Sequence, residues 1–203
     1  MKKFILINQR LDKFGKFKEK RDNLDIRLTK FISQIGMVPL FIPNDKKYIK
    51  YFLNSGIKIK GIILSPGGDP RKKDDRSYVE NELIKHAIIK KLPLLGLCRG
   101  AQKLNLYFRG KIKKVSGHVR KNHRIYGKIV KNKKIKVNSY HDYGIKIKDL
   151  SPKFNVLAFT EDRIVECFES QSKNILGIMW HPERNLHVEN FDKKLIRKFF
   201  KCS

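Results

Sequence analysis

Apolar residues recur along this chain in two periods. Residues 4–7 form a continuous apolar run, the mark of a strand buried on both faces. Leu24, Leu28, Phe31, Ile32 and Ile35 then fall at helical spacing, and Gly36 closes that helix. Residues 37–42 predict a second strand and 48–53 a short helix. Residues 61–64 predict a third strand, which runs into Pro66-Gly67-Gly68-Asp69. Val79, Leu83, Ile84, Ala87 and Ile88 place a helix over 78–90. Residues 93–97 are a fourth apolar strand leading straight into Cys98, and 101–108 read as helix. The polar, basic stretch 11–23, with Gly15 in its middle, reads as a loop.

The second half changes character. Residues 111–148 are Lys-rich with short alternating segments, 128–137 among them, which predicts antiparallel strands and loops. Residues 155–159, 164–168 and 175–180 are three more strands, and 191–200 a closing amphipathic helix. The pattern predicts an α/β fold: a mostly parallel central sheet with helices on both faces and a small antiparallel β extension in the second half. No repeat, low-complexity tract or linker interrupts it. Residues 1–203 are therefore expected to form a single domain, a length that suits one core.

Charge changes the picture only in part. There are 47 Lys and Arg against 19 Asp and Glu, a net charge of +28. Such an excess invites a nucleic-acid reading. The basic residues are mostly Lys, however, and spread along the whole length among many Ile, Asn, Phe and Tyr, as an AT-rich genome would encode. A solvated basic surface accounts for most of it, which makes nucleic acid an unlikely partner. Attraction for anionic partners such as phosphorylated metabolites stays open. The three Cys are widely separated, with neither disulfide-framework nor zinc spacing, and fit a reducing cytoplasm. The N-terminal apolar run is too short for a signal peptide, and no window approaches a membrane span.

Three motifs carry chemistry. In Gly96-Leu97-Cys98-Arg99-Gly100 an apolar strand ends in a small-x-nucleophile-x-small pattern and a helix follows at once. This is the thiol counterpart of a nucleophile elbow. The glycines permit the tight turn, and the positive end of the next helix favours a thiolate at Cys98. In Trp180-His181-Pro182-Glu183, directly after a strand, His181 and Glu183 can project to one side. His181 could then take the Cys98 proton while Glu183 orients the ring. In Ser65-Pro66-Gly67-Gly68-Asp69-Pro70, adjacent glycines let backbone amides approach a substrate. One of those N–H groups, with that of Arg99, could form an oxyanion hole. Each motif alone also has a bland reading: a buried Cys, a loop His beside a surface acid, a Gly-rich turn.

Taken together and in this order, the motifs resemble the class I glutamine amidotransferases and their γ-glutamyl hydrolase relatives, over residues 61–183. The resemblance implies a flavodoxin-like sheet, a Cys98–His181–Glu183 triad and a γ-glutamyl thioester intermediate. It implies Gly67 as the oxyanion glycine, with Gly68 the alternative. Gln102 matches the family glutamine that holds the glutamyl α-amino and α-carboxylate groups. Ser139, Tyr140 and His141, after Asn138, match the segment whose backbone completes that pocket. Gln9-Arg10 and the segment from Arg21 to Asp25 look like the stand-alone hydrolase branch, and within it like the hydrolases of γ-glutamyl nucleotide amidates in capsule phosphoramidate biosynthesis. The implied substrate is a small γ-glutamyl compound with a phosphate-bearing nucleotide as leaving group, which Arg10 and Arg21 would face. Two other readings stay open: a glutaminase component that supplies ammonia to a separate synthase, and a non-enzymatic basic binding protein.

The remaining candidates are weaker. Cys167 alternates with apolar neighbours and reads as packing, and Cys202 as inert. His118 and His123 show no metal-ligand partners, so neither metal nor cofactor is expected. Arg120 and Arg124 could also face a diphosphate, although each alone reads as a solvated charge.

Overall fold

The computed structural model describes residues 3–131, 133–172, 174–185 and 190–201. The first half runs β1 (Phe4–Asn8), β2 (Arg10–Phe14), β3 (Glu19–Asn23), α1 (Ile26–Gln34), β4 (Val38–Ile42), α2 (Lys46–Asn54), β5 (Gly61–Leu64), α3 (Asp75–Ile89), β6 (Leu94–Leu97) and α4 (Arg99–Tyr107). The second half runs β7 (Lys113–Lys114), β8 (Val119–Ile125), β9 (Ile135–Tyr140), β10 (Tyr143–Gly144), β11 (Phe154–Phe159), β12 (Val165–Ser170), β13 (Ile175–Ile178) and α5 (Asn190–Phe199).

One seven-stranded sheet has the order β11-β12-β13-β6-β5-β1-β4. β4, β1, β5, β6 and β13 are parallel, and β12 and β11 close that side antiparallel. The alternation of side chains along each strand feeds two cores. Ile5, Ile7, Ile63, Leu95 and Leu97 pack under α1 and α5. Leu6, Ile62, Leu64 and Leu94 pack under α2, α3 and α4. Covering both faces is what continuous apolar strands require. Aspartates start three of the helices. Asp25, Asp45 and Asp74 each accept a hydrogen bond from a backbone N–H of the first turn, satisfying a donor the helix cannot.

Two expectations change. Residues 11–23 are not a loop: β2 and β3 pair as an antiparallel hairpin. Its strands are largely exposed and charged, so it buries no stripe that a hydrophobic period could reveal. Cross-strand chemistry holds it instead. Asn23 donates to Asp12 at 2.8 Å, the Arg21 guanidinium lies 4.4 Å from the Phe14 ring centre, and Gly15 takes φ +67° at the tip. In the Lys-rich stretch the antiparallel pair is β8 with β9, whereas residues 128–131 form the turn between them. No helix among the described residues is long and apolar enough to cross a membrane.

Candidate active site

The parallel strands aim the ends of β1, β5, β6 and β13 at one edge of the sheet, where an open α/β sheet forms its crevice. At the end of β6, Cys98 takes φ +47° and ψ −102°, a conformation a side chain rarely adopts. Its N–H donates to the Ile178 carbonyl at 2.7 Å, and its own carbonyl accepts from Gln102 as α4 begins. The flanking glycines are sterically required. A Cβ on Gly96 would lie 2.6 Å from the Gly100 carbonyl carbon, and one on Gly100 would overlap the Leu64 carbonyl.

β13 delivers His181. Its Nδ1 donates to Glu183 Oε1 at 2.7 Å, with both residues buried. That bond assigns the lone pair or second proton to Nε2, which makes no aligned hydrogen bond among the described residues and has the Cys98 sulfur as its electrostatic partner. Burial opposes charge on the imidazole, but Cys98 and Glu183 outweigh it and raise the pKa to about 9. The three residues thus meet in an arrangement that fits a nucleophile, a base and its orienting carboxylate. Asn138 on β9 fixes the His181 backbone from behind: its Oδ1 accepts from the His181 N–H at 2.8 Å, and its Nδ2 donates to the His181 carbonyl at 2.7 Å. Nothing local in the sequence marks Asn138 for this task, because its partner lies 43 residues away.

The Gly67-Gly68 turn is held by a second buried group. Arg76 on α3 donates to the carbonyls of Ser65 and Gly67, each at 2.8 Å, and to Pro66 at 3.4 Å. With those oxygens turned to Arg76 and the peptides trans, the N–H groups of Gly67 and Gly68 point away from it. Glu80 accepts from Arg76, Arg99 and Asn8. Burial and repulsion from Arg99 bring the Arg76 pKa down to about 10. Sequence reading missed Arg76 and Glu80. Their signal was an arginine and a glutamate four apart on an otherwise apolar helix face.

A cleft of about 280 Å³ joins these parts, lined by Gly67, Gly68, Asp69, Pro70, Cys98, Arg99, Gln102 and residues 140–143. Gln102 Nε2 donates to the Tyr143 carbonyl at 2.6 Å. Tyr140 sets its ring edge-on to His181, 5.6 Å between centres. Ser139 is not in the cleft wall; its hydroxyl donates to the His118 carbonyl at 2.6 Å. The His141 side chain reaches Glu166, with Nε2 3.3 Å from Oε1.

Arg10 packs on Gly67, where a Cβ would come within 2.9 Å of its Nε. That Nε is buried without a partner among the described residues, and Nη2 lies 3.1 Å from Asp12. Arg21, expected beside it, is instead half-exposed on the hairpin, bound to Glu19 and clear of the cleft. Two register positions of an antiparallel pair separate the two arginines, which is enough to carry Arg21 up the hairpin. Arg124 stacks near Tyr126, and neither it nor Arg120 lines the cleft. Cys167 is buried in β12, where burial pushes its thiol well up. Cys202 lies outside the described residues. The expectation that His118 has no ligand-type partners is corrected: the fold brings it to His141 and Glu166, 23 and 48 positions on in the chain, where spacing rules do not reach.

The Peptidase C26 family matches residues 5–183. The chain is 30% identical to the γ-glutamyl-CDP-amidate hydrolase of Campylobacter jejuni, with 97% of each chain covered. It is 29% identical to a glutamine-hydrolysing GMP synthase subunit of Methanococcus vannielii, over 81% of this chain and 84% of that one. A crystal structure from Thermoplasma acidophilum, assigned as a GMP synthase subunit, superposes with a TM-score of 0.69 at 20% identity, covering 99% of this chain and 94% of the other. The elbow at Cys98, the His181–Glu183 pair and the seven-stranded sheet are thus those of a member of the Peptidase C26 family, with the class I glutamine amidotransferase-like fold.

Proposed function

We propose that the chain is a cysteine-dependent amidohydrolase that cleaves a γ-glutamyl amide, with Cys98 as nucleophile, His181 as general base and acid, and Glu183 as its orienting partner. The observation that carries this is the meeting of a strained elbow cysteine with a buried imidazole whose other nitrogen is held by a carboxylate. The Cys98 thiolate adds to the γ-carbonyl carbon. The oxyanion forms against the N–H groups of Arg99 and Gly67 or Gly68. As the tetrahedral adduct collapses, the C–N bond breaks and His181 gives its Nε2 proton to the leaving nitrogen. A water then loses a proton to His181 and attacks the thioester. The C–S bond breaks, releasing glutamate and the thiolate. Gln102 and the backbone of residues 139–141 bind the glutamyl α-groups.

Within this reading the substrate is γ-glutamyl-CDP-amidate, cleaved to glutamate and cytidine diphosphoramidate for capsule phosphoramidate synthesis. Near-complete alignment with the Campylobacter jejuni hydrolase supports it. So does Arg10, a partly buried cation against the Gly67 turn. The test measures glutamate release from γ-glutamyl amides with and without a nucleotide diphosphate, for wild type and Arg10→Ala. Loss of one charge-assisted hydrogen bond should lower kcat/KM on the nucleotide amidate roughly tenfold and leave a small uncharged amide unchanged. Equal losses on both would make Arg10 structural. Similarity to the Methanococcus vannielii GMP synthase component favours a second reading, a glutaminase that hands ammonia to a separate synthase. Glutamine as the best substrate, with turnover rising on addition of a synthase, would select it.

A further inference from the structure

On the far side of the segment that carries Tyr140 lies a group of ionisable side chains that this reaction leaves unused. His118 precedes β8, His141 follows β9 and Glu166 sits in β12; they are 1%, 3% and 0% exposed. Their ligand atoms all lie within 4.8 Å of one another. Glu166 Oε1 is 3.3 Å from His141 Nε2 and 3.7 Å from His118 Nδ1. We propose that His118, His141 and Glu166 bind one divalent transition-metal ion, with the donor set and geometry of zinc.

Four observations converge. Two imidazoles and a carboxylate are a borderline donor set that suits Zn²⁺ over the all-oxygen cations. Bonds of about 2.0–2.2 Å put the edges of a tetrahedral site near 3.4 Å, and the 3.3 Å and 3.7 Å separations from Glu166 Oε1 bracket that length. His118 Nε2 donates to Asp162 Oδ2 at 2.9 Å. An imidazole tied to a carboxylate in this way presents its other nitrogen as a lone pair and fixes the ring, the usual support behind a metal-bound histidine. That other nitrogen, His118 Nδ1, is buried with no hydrogen-bond partner among the described residues, and so is Glu166 Oε2. A buried polar atom left unpaired is costly, and a metal ion would satisfy these. The fourth position can be water or His123, whose ring centre lies 4.3 Å from that of His118 and whose Nε2 is also unpartnered. An open cleft of about 530 Å³ reaches His118 and Asp162 from solvent, which gives the ion an entry path.

The ion has a mechanical role. The His118 carbonyl already accepts from Ser139 Oγ and from the His141 N–H. Joining the His118 and His141 side chains to Glu166 closes a ring around the peptide that presents Tyr140 to His181. It also pins the β8–β9 hairpin to the central sheet.

The experiment uses the full chain carrying Cys98→Ala, which removes the thiolate of the candidate active site as a competing ligand. After treatment with chelator, the protein is titrated with Zn²⁺ and separately with Co²⁺. Expected are one tightly bound equivalent, a raised Tm, and visible cobalt absorption of a tetrahedral nitrogen–oxygen site. Glu166→Gln should abolish binding. Should that variant fail to fold, Asp162→Asn, at a half-exposed position, should weaken binding by about 10–100-fold. The proposal is overturned by no saturable binding, by a thiolate-to-cobalt charge-transfer band placing the ion at a cysteine, or by unchanged affinity in Asp162→Asn.

Discussion

The molecule holds two buried histidine–carboxylate centres, and they are built to different plans. At the sheet edge one imidazole is bound to one carboxylate at 2.7 Å, and its remaining nitrogen looks towards a sulfur. Behind the hairpin, Glu166 is shared between His118 and His141 at longer range, with a second carboxylate, Asp162, holding His118 from outside. In the proposed reaction the first centre leaves a single nitrogen, Nε2, free to pass a proton between Cys98 and a leaving group. The second gathers two imidazoles and a carboxylate around one point. The same residue types serve opposite ends, and what separates them is how many donors point inwards.

The largest break of this comparison is removal of the sulfur. Cys98→Ala should lower glutamate release by roughly 10⁴-fold or more, and iodoacetamide should label Cys98 ahead of the buried Cys167; wild-type rates would remove the nucleophile assignment. Next, His181→Ala should cost about as much as Cys98→Ala, because the groups act as a unit. Glu183→Gln should be milder, on the order of tenfold to 10²-fold. If Glu183→Gln proved the more severe, the roles at the sheet edge would be misassigned. Arg76→Met leaves Glu80 short of a cation and the turn carbonyls without a donor. Urea unfolding should show a loss of about 3 kcal/mol, together with a lower kcat.

pH gives a smaller and sharper effect. The His181 pKa is raised from 6.5 to about 9 by Cys98 and Glu183 against the pull of burial. The stability its imidazolium contributes is therefore complete below about pH 6.5 and lost as pH rises through about 9. Proton donation to the leaving nitrogen should fail over the same upper limb. A kcat/KM profile should fall near pH 9, and Glu183→Gln should move that fall to lower pH. A fall that stays in place would mean Glu183 does not support the charge. The smallest effect belongs to the second centre: His123→Asn should leave glutamate release within about twofold, since His123 does not line the cleft at Cys98. A larger loss would join the two centres into one machine.

What the sequence disclosed follows from range. The Cys98 elbow and the His181–Glu183 pair are written within five residues each, beside apolar strands, and were legible. So was the parallel sheet, because strands buried on both faces are unbroken apolar runs. The β2–β3 hairpin was not, since its pairing rests on charged, exposed residues that carry no hydrophobic period. Asn138 with His181 and His118 with Glu166 are contacts between distant segments, and Arg76 meets the Gly67 turn only once the loop between them has folded back. Each residue taken alone looks like an ordinary surface group, and only the closed sheet turns it into a buried partner. Arg10 and Arg21 show the limit from the other side: equally placed on paper, they are separated by register within one hairpin.

The two bonds from Asn138 to the His181 backbone have a kinetic corollary. The His181 amide proton is protected by a side chain of the β8–β9 hairpin and not by its own strand. Whenever that hairpin lifts from the sheet, this amide becomes available to deuterium while its neighbours in β13 stay closed. Isotope uptake at His181 is therefore a clock for hairpin opening. In each open interval the His181 backbone loses the two bonds that fix it, while the ring keeps its bond to Glu183.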